Sequence, residues 1–255
     1  MLGCGIDLGT SGCRLALVDA TGLIHQLSCP YPGPFHQAGS WRLGVQQLFA
    51  ELPEEQRQQI GAIAIDGTSG TLLACSPAGE PLAPALAYND ACPEQAQRTR
   101  ELVPNGGSAA SSSGSVARSL RLLGQLSEQP GSELLLRHQA DWLMGWLLGN
   151  WSWGEEGNNL RLGWDLLSNE WSGGIASSSW ASALPTVIPS GQLVGPIGDA
   201  AAAELKLPVS CQIVSGTTDA NAAVLAAEPQ AGDGVAVLGT TLVLKQFAPE
   251  PLSAP

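Results

Sequence analysis

Three aspartates in this 255-residue chain stand where an apolar run meets glycine and hydroxyl side chains. Asp7 precedes Leu8-Gly9-Thr10-Ser11-Gly12, Asp66 precedes Gly67-Thr68-Ser69-Gly70-Thr71, and Asp219 follows Ser215-Gly216-Thr217-Thr218. A further Gly239-Thr240-Thr241 lies between two apolar runs. Gly9 and Gly12 allow a tight turn and close approach of the backbone to a ligand. Successive N–H groups in such a turn, with the hydroxyls of Thr10 and Ser11, make a concavity suited to phosphate oxygens. Asp7 can hold a hydrated Mg²⁺ against those oxygens, since magnesium keeps several waters and takes few protein carboxylates. Asp219 sits at a strand-to-helix junction, where the helix dipole favours an anion. Plainer readings stand beside each: an ordinary hairpin for Asp7, a strand-to-strand turn for Asp66, a helix N-cap for Asp219. Short glycine-rich motifs are weakly specific alone. The chain has no Walker P-loop and no dinucleotide fingerprint.

Composition narrows the choice. Hydrophobic residues make up 44% and charged residues 13%, and the formal charge is −12. With so few lysines and arginines there is no basic face for nucleic acid or an anionic membrane. Six scattered cysteines form no Cys-x-x-Cys pair and only three histidines accompany them, which argues against a zinc site. No apolar run approaches the roughly 20 residues of a membrane span, and no signal peptide is evident. The expectation is a soluble, cytoplasmic protein. An acidic protein that binds nucleoside triphosphate must neutralise the phosphates locally, through a metal and backbone N–H groups.

Local patterns supply the elements that position these residues. Leu2–Leu8 and the run from Leu15 read as a hairpin, and 22–28 as a third strand. Trp41–Leu52 reads as a helix with Val45, Leu48 and Phe49 on one face. Ile60–Ile65 is a buried strand that delivers Asp66, and 72–75 is the next strand. A polar element at the end of a buried strand is where α/β folds place ligand contacts. Gly106–Ser115 is low-complexity and reads as a surface loop. A helix follows over Val116–Leu126, with serine available as N-cap. Leu134–Leu148 reads as one apolar helix ended by Gly149, its tryptophans core rather than a cofactor platform. Residues 151–180 show no period and read as a surface crossing near a cleft. The segment 184–197 reads as a connector with a short extended piece, and 199–205 as an alanine helix. Val209–Val214 is a buried strand feeding Asp219 and a helix over Ala222–Ala227. Finally, 234–238 and 242–245 form a second strand–turn–strand unit around Gly239-Thr240-Thr241. Two such hairpins facing each other across a cleft can grip phosphates from both sides.

Together these motifs resemble those of the FGGY carbohydrate kinases, of the actin/sugar kinase/Hsp70 superfamily. The resemblance is carried by Asp7-Leu8-Gly9-Thr10-Ser11, Gly216-Thr217-Thr218-Asp219-Ala220 and Leu238-Gly239-Thr240-Thr241. Ile65–Thr71 with Ala85–Asp90 is similar to the family's sugar-contacting segment. Ala140–Gly149 resembles its helix ending in Leu-x-Gly, and Asn158–Asp165 its Asn-Ala…Asp stretch. This implies an α/β fold with a ribonuclease-H-like (actin-like ATPase) domain, a mixed sheet flanked by helices, and the start of a second such domain. Residues 1–215 would be the sugar-binding domain and 216–255 the opening of the nucleotide-binding one. It implies ATP and Mg²⁺ as cofactors. Asp7 would organise the metal, Gly9, Thr10 and Ser11 the first phosphate loop, and Gly239, Thr240 and Thr241 the second. Asp219 would be the general base on the sugar hydroxyl that attacks the γ-phosphate. Asp66, Gly67, Thr68 and Ser69 would contact the sugar. Their segment lacks the Gln-Arg-Glu of glycerol kinases and the Gln-Met-His of bacterial xylulose kinases. It is closer to the Asp-x-Thr-Ser-x-Thr of ribulokinases, so the implied substrate is a ketopentose, D-ribulose first and D-xylulose second.

The family continues well beyond its second phosphate loop, into a glycine-rich adenosine motif, whereas this sequence ends at Pro255. The resemblance therefore implies a truncated chain, completed by a missing C-terminal segment or a homodimer partner. Alone, it would have unpaired strand edges, no adenine pocket, and little or no kinase activity. Turnover typical of kinases, about 1–100 s⁻¹, would contradict that expectation. A rival of another class is a sugar- or phosphate-binding module without catalysis, separable by titrating D-ribulose with and without Mg-ATP. An actin- or Hsp70-like ATPase fits the Asp66 segment and the setting of Asp219 less well, and a scaffold role is weakest.

Overall fold

The computed structural model describes residues 1–104, 107–127, 133–230, 232–238 and 242–246. The chain opens with β1 (Leu2–Leu8), β2 (Gly12–Asp19) and β3 (Gly22–Pro30), followed by α1 (Ala38–Glu51), α2 (Glu54–Arg57) and β4 (Ile60–Gly67). A middle segment adds β5 (Leu72–Cys75), α3 (Ala96–Leu102), α4 (Ser115–Leu126), β6 (Leu135–His138) and α5 (Gln139–Leu148). Short elements follow: β7 (Trp153–Glu155), α6 (Glu156–Asn159), β8 (Trp164–Asp165), β9 (Glu170–Trp171), α7 (Gly173–Ala176) and β10 (Thr186–Ile188). The chain then returns to the main sheet through β11 (Leu193–Pro196), α8 (Asp199–Leu205) and β12 (Gln212–Val214). After α9 (Asp219–Leu225) come β13 (Gly234–Leu238) and β14 (Leu242–Gln246).

The main sheet has six strands in the order β11-β12-β4-β1-β2-β3. It is mixed, with β1 parallel to β4 and antiparallel to β2, and β12 parallel to β4. Side-chain alternation gives the sheet two unlike faces. Cys4, Ile6 and Leu8 of β1, Cys13, Leu15 and Leu17 of β2, and Ile63 and Ile65 of β4 are buried. They share one core with Trp41, Val45 and Leu48 of α1, Leu143 and Leu147 of α5, and Ala201, Ala202 and Leu205 of α8. The opposite face carries Gly3, Gly5 and Asp7 of β1, Arg14 and Ala16 of β2, and Ala62, Ala64 and Asp66 of β4. The alternation that buries Ile6 and Ile65 thus places Asp7 and Asp66 together on the lighter face.

A second apolar cluster unites Leu72 and Ala74 of β5, Leu136 of β6, Val116 and Leu122 of α4, and Leu162, Ile175 and Trp180. Here the structure departs from local pattern. Leu134–Leu148 is not one helix: 135–138 is a strand paired antiparallel with β5, and α5 begins only at Gln139. Partnering a strand that has no place in the main sheet outweighs local helical preference. Trp142 and Trp146 are core, as expected. No serine caps α4, whose N-cap is Gly114. Only 212–214 of the 209–214 run is strand, because the Cys211 amide closes a turn onto Pro208 and leaves Val209 exposed. The last helix starts at Asp219, three residues before the position that its apolar pattern marks. Residues 151–180 hold buried polar residues, Glu155, Asn158 and Asn159, so this is no mere surface crossing. The 184–197 connector contains two short strands. All six cysteines are free and buried. Among the described residues no helix is long and apolar enough to cross a membrane.

Candidate active site

A cavity of about 500 Å³ opens on the lighter face, at the carboxyl ends of β1 and β4. Asp7, Gly9, Thr10, Arg14, Asp66, Thr68, Tyr88 and Asp219 line it, with Ala222, Ala223 and Ala226 of α9. Named ties bring Asp7, Arg14, Thr68 and Asp219 there.

Asp7 and Arg14 are register partners across the β1–β2 hairpin and form an ion pair of 2.5 Å. The turn between them is closed by the Gly9 amide donating to the Gly12 carbonyl at 3.0 Å. From outside, the Tyr31 hydroxyl donates to the Gly9 carbonyl at 2.9 Å and the Tyr31 amide to Ser11. Asp66 is the register partner of Asp7 on the parallel strand β4. Its buried Oδ1 has no hydrogen-bond partner among the described residues. Burial, and next the charge of Asp7, push its carboxyl up from 3.8 to about 8, so it carries a proton at neutral pH.

Thr68 is held by Gln139, the first residue of α5: its amide donates to Gln139 Oε1 at 3.1 Å and its hydroxyl at 2.6 Å. Asp219 is brought in by the loop from β12, which runs against β4 with Gly67 and Thr218 bridged in parallel. Gly216 makes that approach possible, because a Cβ there would lie 1.8 Å from the Ile65 carbonyl oxygen. The N-cap of α9 is Thr218, whose hydroxyl accepts the Asn221 amide. Asp219, the first helical residue, is therefore not the cap. Its Oδ1 accepts the Ala220 amide at 2.7 Å and the Ser69 amide at 3.3 Å.

Of the residues singled out by sequence, the cavity brings together Asp7, Gly9, Thr10, Asp66, Thr68 and Asp219. Ser11, Gly67 and Ser69 do not line it. Ser11 is exposed, Gly67 packs below against Gln139 and Ala140, and Ser69 contributes its amide to Asp219. Gly239, Thr240 and Thr241 lie outside the described residues, so the facing of two hairpins has no geometry to report. Tyr88 lies in the Ala85–Asp90 stretch that the resemblance marks as sugar-contacting, whereas sequence reasoning gave no role to Arg14 or Gln139. Arg14 was within reach, since closing a hairpin around Gly9–Ser11 sets it opposite Asp7. Gln139 lies 71 residues from Thr68, a distance local pattern does not span.

The carboxylate and hydroxyl oxygens suit a hard cation, whereas the Arg14 guanidinium suits an anion. Among the described residues no three Asp, Glu, His or Cys gather closely enough to enclose an ion. Three carboxyl side chains face one guanidinium, so a polyphosphate entering without a cation would meet net negative charge.

No family model matches the sequence. Solved structures do resemble it in fold. A xylulose kinase from Lactobacillus acidophilus superposes with a TM-score of 0.85 at 14% identity, over 100% of this chain and 56% of that one. A glycerol kinase from Plasmodium falciparum gives 0.80 at 16%, over 95% of this chain and 53% of the other. A xylulose kinase from Rhodospirillum rubrum gives 0.80 at 21%, over 92% and 53%. The chain thus spans about half the length of the structures that it matches. With its mixed six-stranded sheet and a cavity at the strand ends, it shares the fold of these solved structures.

Proposed function

We propose that the protein belongs to an ATP-dependent sugar kinase that transfers the γ-phosphoryl group to a hydroxyl of a ketopentose, D-ribulose before D-xylulose. Residues 1–215 would carry the sugar side and 216–255 open the nucleotide side. The observation that carries this reading is the meeting of Asp7, Thr10, Asp66, Thr68 and Asp219 in one cavity. Phosphoryl transfer demands positioning, neutralised charge and a carboxylate within reach of the nucleophile. Asp219, aimed by two backbone amides, takes the proton of the sugar hydroxyl as its oxygen attacks phosphorus and the bond to ADP breaks. Thr10 and the amides of the first turn hold phosphate oxygens, with Arg14 beside them and Ser11 outside the cavity on the exposed side of the turn. Asp7 would hold a Mg²⁺ ion, which when bound would neutralise phosphate charge. Thr68, and Ser69 through its amide, orient the sugar side.

The first test is calorimetric titration. Saturable binding of D-ribulose, tighter than of D-xylulose, is expected, and binding of neither would sink the reading. Where Mg-ATP and D-ribulose yield ADP and a phosphorylated sugar, Asp219→Asn should lower kcat by about 10²–10⁴-fold, the usual contribution of a general base. Retained sugar binding in that variant would locate its defect in the transfer step. Sugar binding with no response to nucleotide would favour a binding module instead.

A further inference from the structure

Arg118 lies one turn into α4 and is wholly buried, 0% exposed. Among the described residues no carboxylate pairs with it. A buried charge must find other partners, and this one finds four backbone carbonyls. Nε donates to Asp90 at 3.2 Å, Nη1 to Gly70 at 3.0 Å, and Nη2 to Ser113 at 2.8 Å and also to Tyr88. These carbonyls come from three separate stretches of chain. One is the turn that follows Thr68, another carries Tyr88, and the third precedes α4. Two of the three therefore bear side chains that line the cavity. The Tyr88 amide is tied as well, to Thr71 Oγ1 at 3.2 Å. Its backbone is thus fixed at both N–H and C=O, while the residue as a whole stays 43% exposed. Only a planar fork with several donors can satisfy so many carbonyls at once.

We propose that Arg118 is a positioning residue for the sugar side of the cleft, fixing the spacing between the Thr68 turn and Tyr88 without itself touching the sugar. The inference rests on the sugar-binding reading above. Arg137 provides an internal contrast. It too is buried and bound to carbonyls, of Leu136, Trp151 and Ala183, but none of these residues lines the cavity. A role in stability alone predicts that the two arginines behave alike.

The experiment compares Arg118→Lys and Arg137→Lys by D-ribulose calorimetry and thermal melting. Both variants should melt lower. Arg118→Lys should weaken D-ribulose binding about tenfold or more, and Arg137→Lys should leave it within about twofold. Equal sugar affinity in Arg118→Lys and wild type overturns the inference, as does an equal loss in both variants. If the wild type binds no ketopentose, the site reading falls and this inference with it; loss of the inference alone requires a wild type that binds. Should Arg118→Lys not fold, Arg118→Ala is refolded with millimolar guanidinium. Sugar binding that rises with guanidinium supports the role, and binding indifferent to it refutes the role.

Discussion

The β1–β2 and β13–β14 hairpins carry similar glycine-hydroxyl turns in sequence, yet they stand in opposite surroundings. In the first, β1 is flanked by β2 and β4 inside a six-stranded sheet, and alternate side chains of both strands are buried. In the second, among the described residues, the strands pair only with each other. Gly234, Ala236, Leu244 and Gln246 are exposed, and Lys245 Nζ donates to Asn221 Oδ1 at 2.7 Å. An isolated two-stranded ribbon is marginal in water. The first turn is over-determined by its neighbours, with Tyr31 bound to both Gly9 and Ser11. A repeated motif is therefore not a repeated anchor: what places Asp7 is the sheet around it.

The sharpest break in this comparison is a single methyl group. At Gly12 a Cβ would fall 2.2 Å from the Cys29 carbonyl oxygen and 2.9 Å from Pro30 Cα, so β3 would have to move. At Gly234 the nearest atom is 3.9 Å away. Gly12→Ala should destabilise the protein by about 3 kcal/mol, the upper range of overpacking, and Gly234→Ala by no more than about 0.5 kcal/mol. Denaturant midpoints measure both. Equal shifts would mean that the two hairpins are anchored alike.

Asp66 sharpens the contrast electrostatically, because no acid precedes Gly239 as Asp7 precedes its own turn. Burial and then the charge of Asp7 hold the Asp66 carboxyl at about 8, against 3.8 ordinarily. A carboxyl whose pKa is higher folded than unfolded binds its proton more tightly in the fold. Its contribution to stability is complete below about pH 3.8 and is lost as the pH climbs to about 8. Asp66→Asn removes that dependence. In chelator-treated buffer the variant should gain Tm over the wild type by a few degrees as pH rises from about 5 to about 9. Parallel profiles would mean that the carboxyl is not strained by its neighbours.

What the sequence made legible follows contact range. The first hairpin and β4 were readable because short apolar runs bounded by glycine are local signals, and so were the three acids at strand ends. That Asp7 and Asp66 lie side by side was not, since it depends on parallel pairing of two strands that β2, β3, α1 and α2 separate in sequence. The β6 strand hid inside an apolar run that only its pairing with β5 could disambiguate. Arg118 gave no signal at all, as its partners lie 5 to 48 residues away and offer only backbone. Asp219 was found through its glycine-threonine context. Freeing it from the cap role required the structure, where Thr218 takes that role.

The smallest effect isolates the tie that most distinguishes the first turn. Tyr31→Phe keeps the ring beside Phe35, with centroids 6.1 Å apart, and removes only the hydroxyl that donates to Gly9. A hydrogen bond of this kind is worth about 1 kcal/mol, which is about a fivefold change in a local opening equilibrium. Amide exchange at Gly9, whose N–H is bound to Gly12, should quicken by that factor, while the Lys245 amide of the second hairpin should not change. If exchange at Gly9 is indifferent to the hydroxyl, the sheet alone holds the turn and Tyr31 is only packing. If both hairpins quicken together, they share a cooperative unit and the difference between them is one of exposure, not of anchoring.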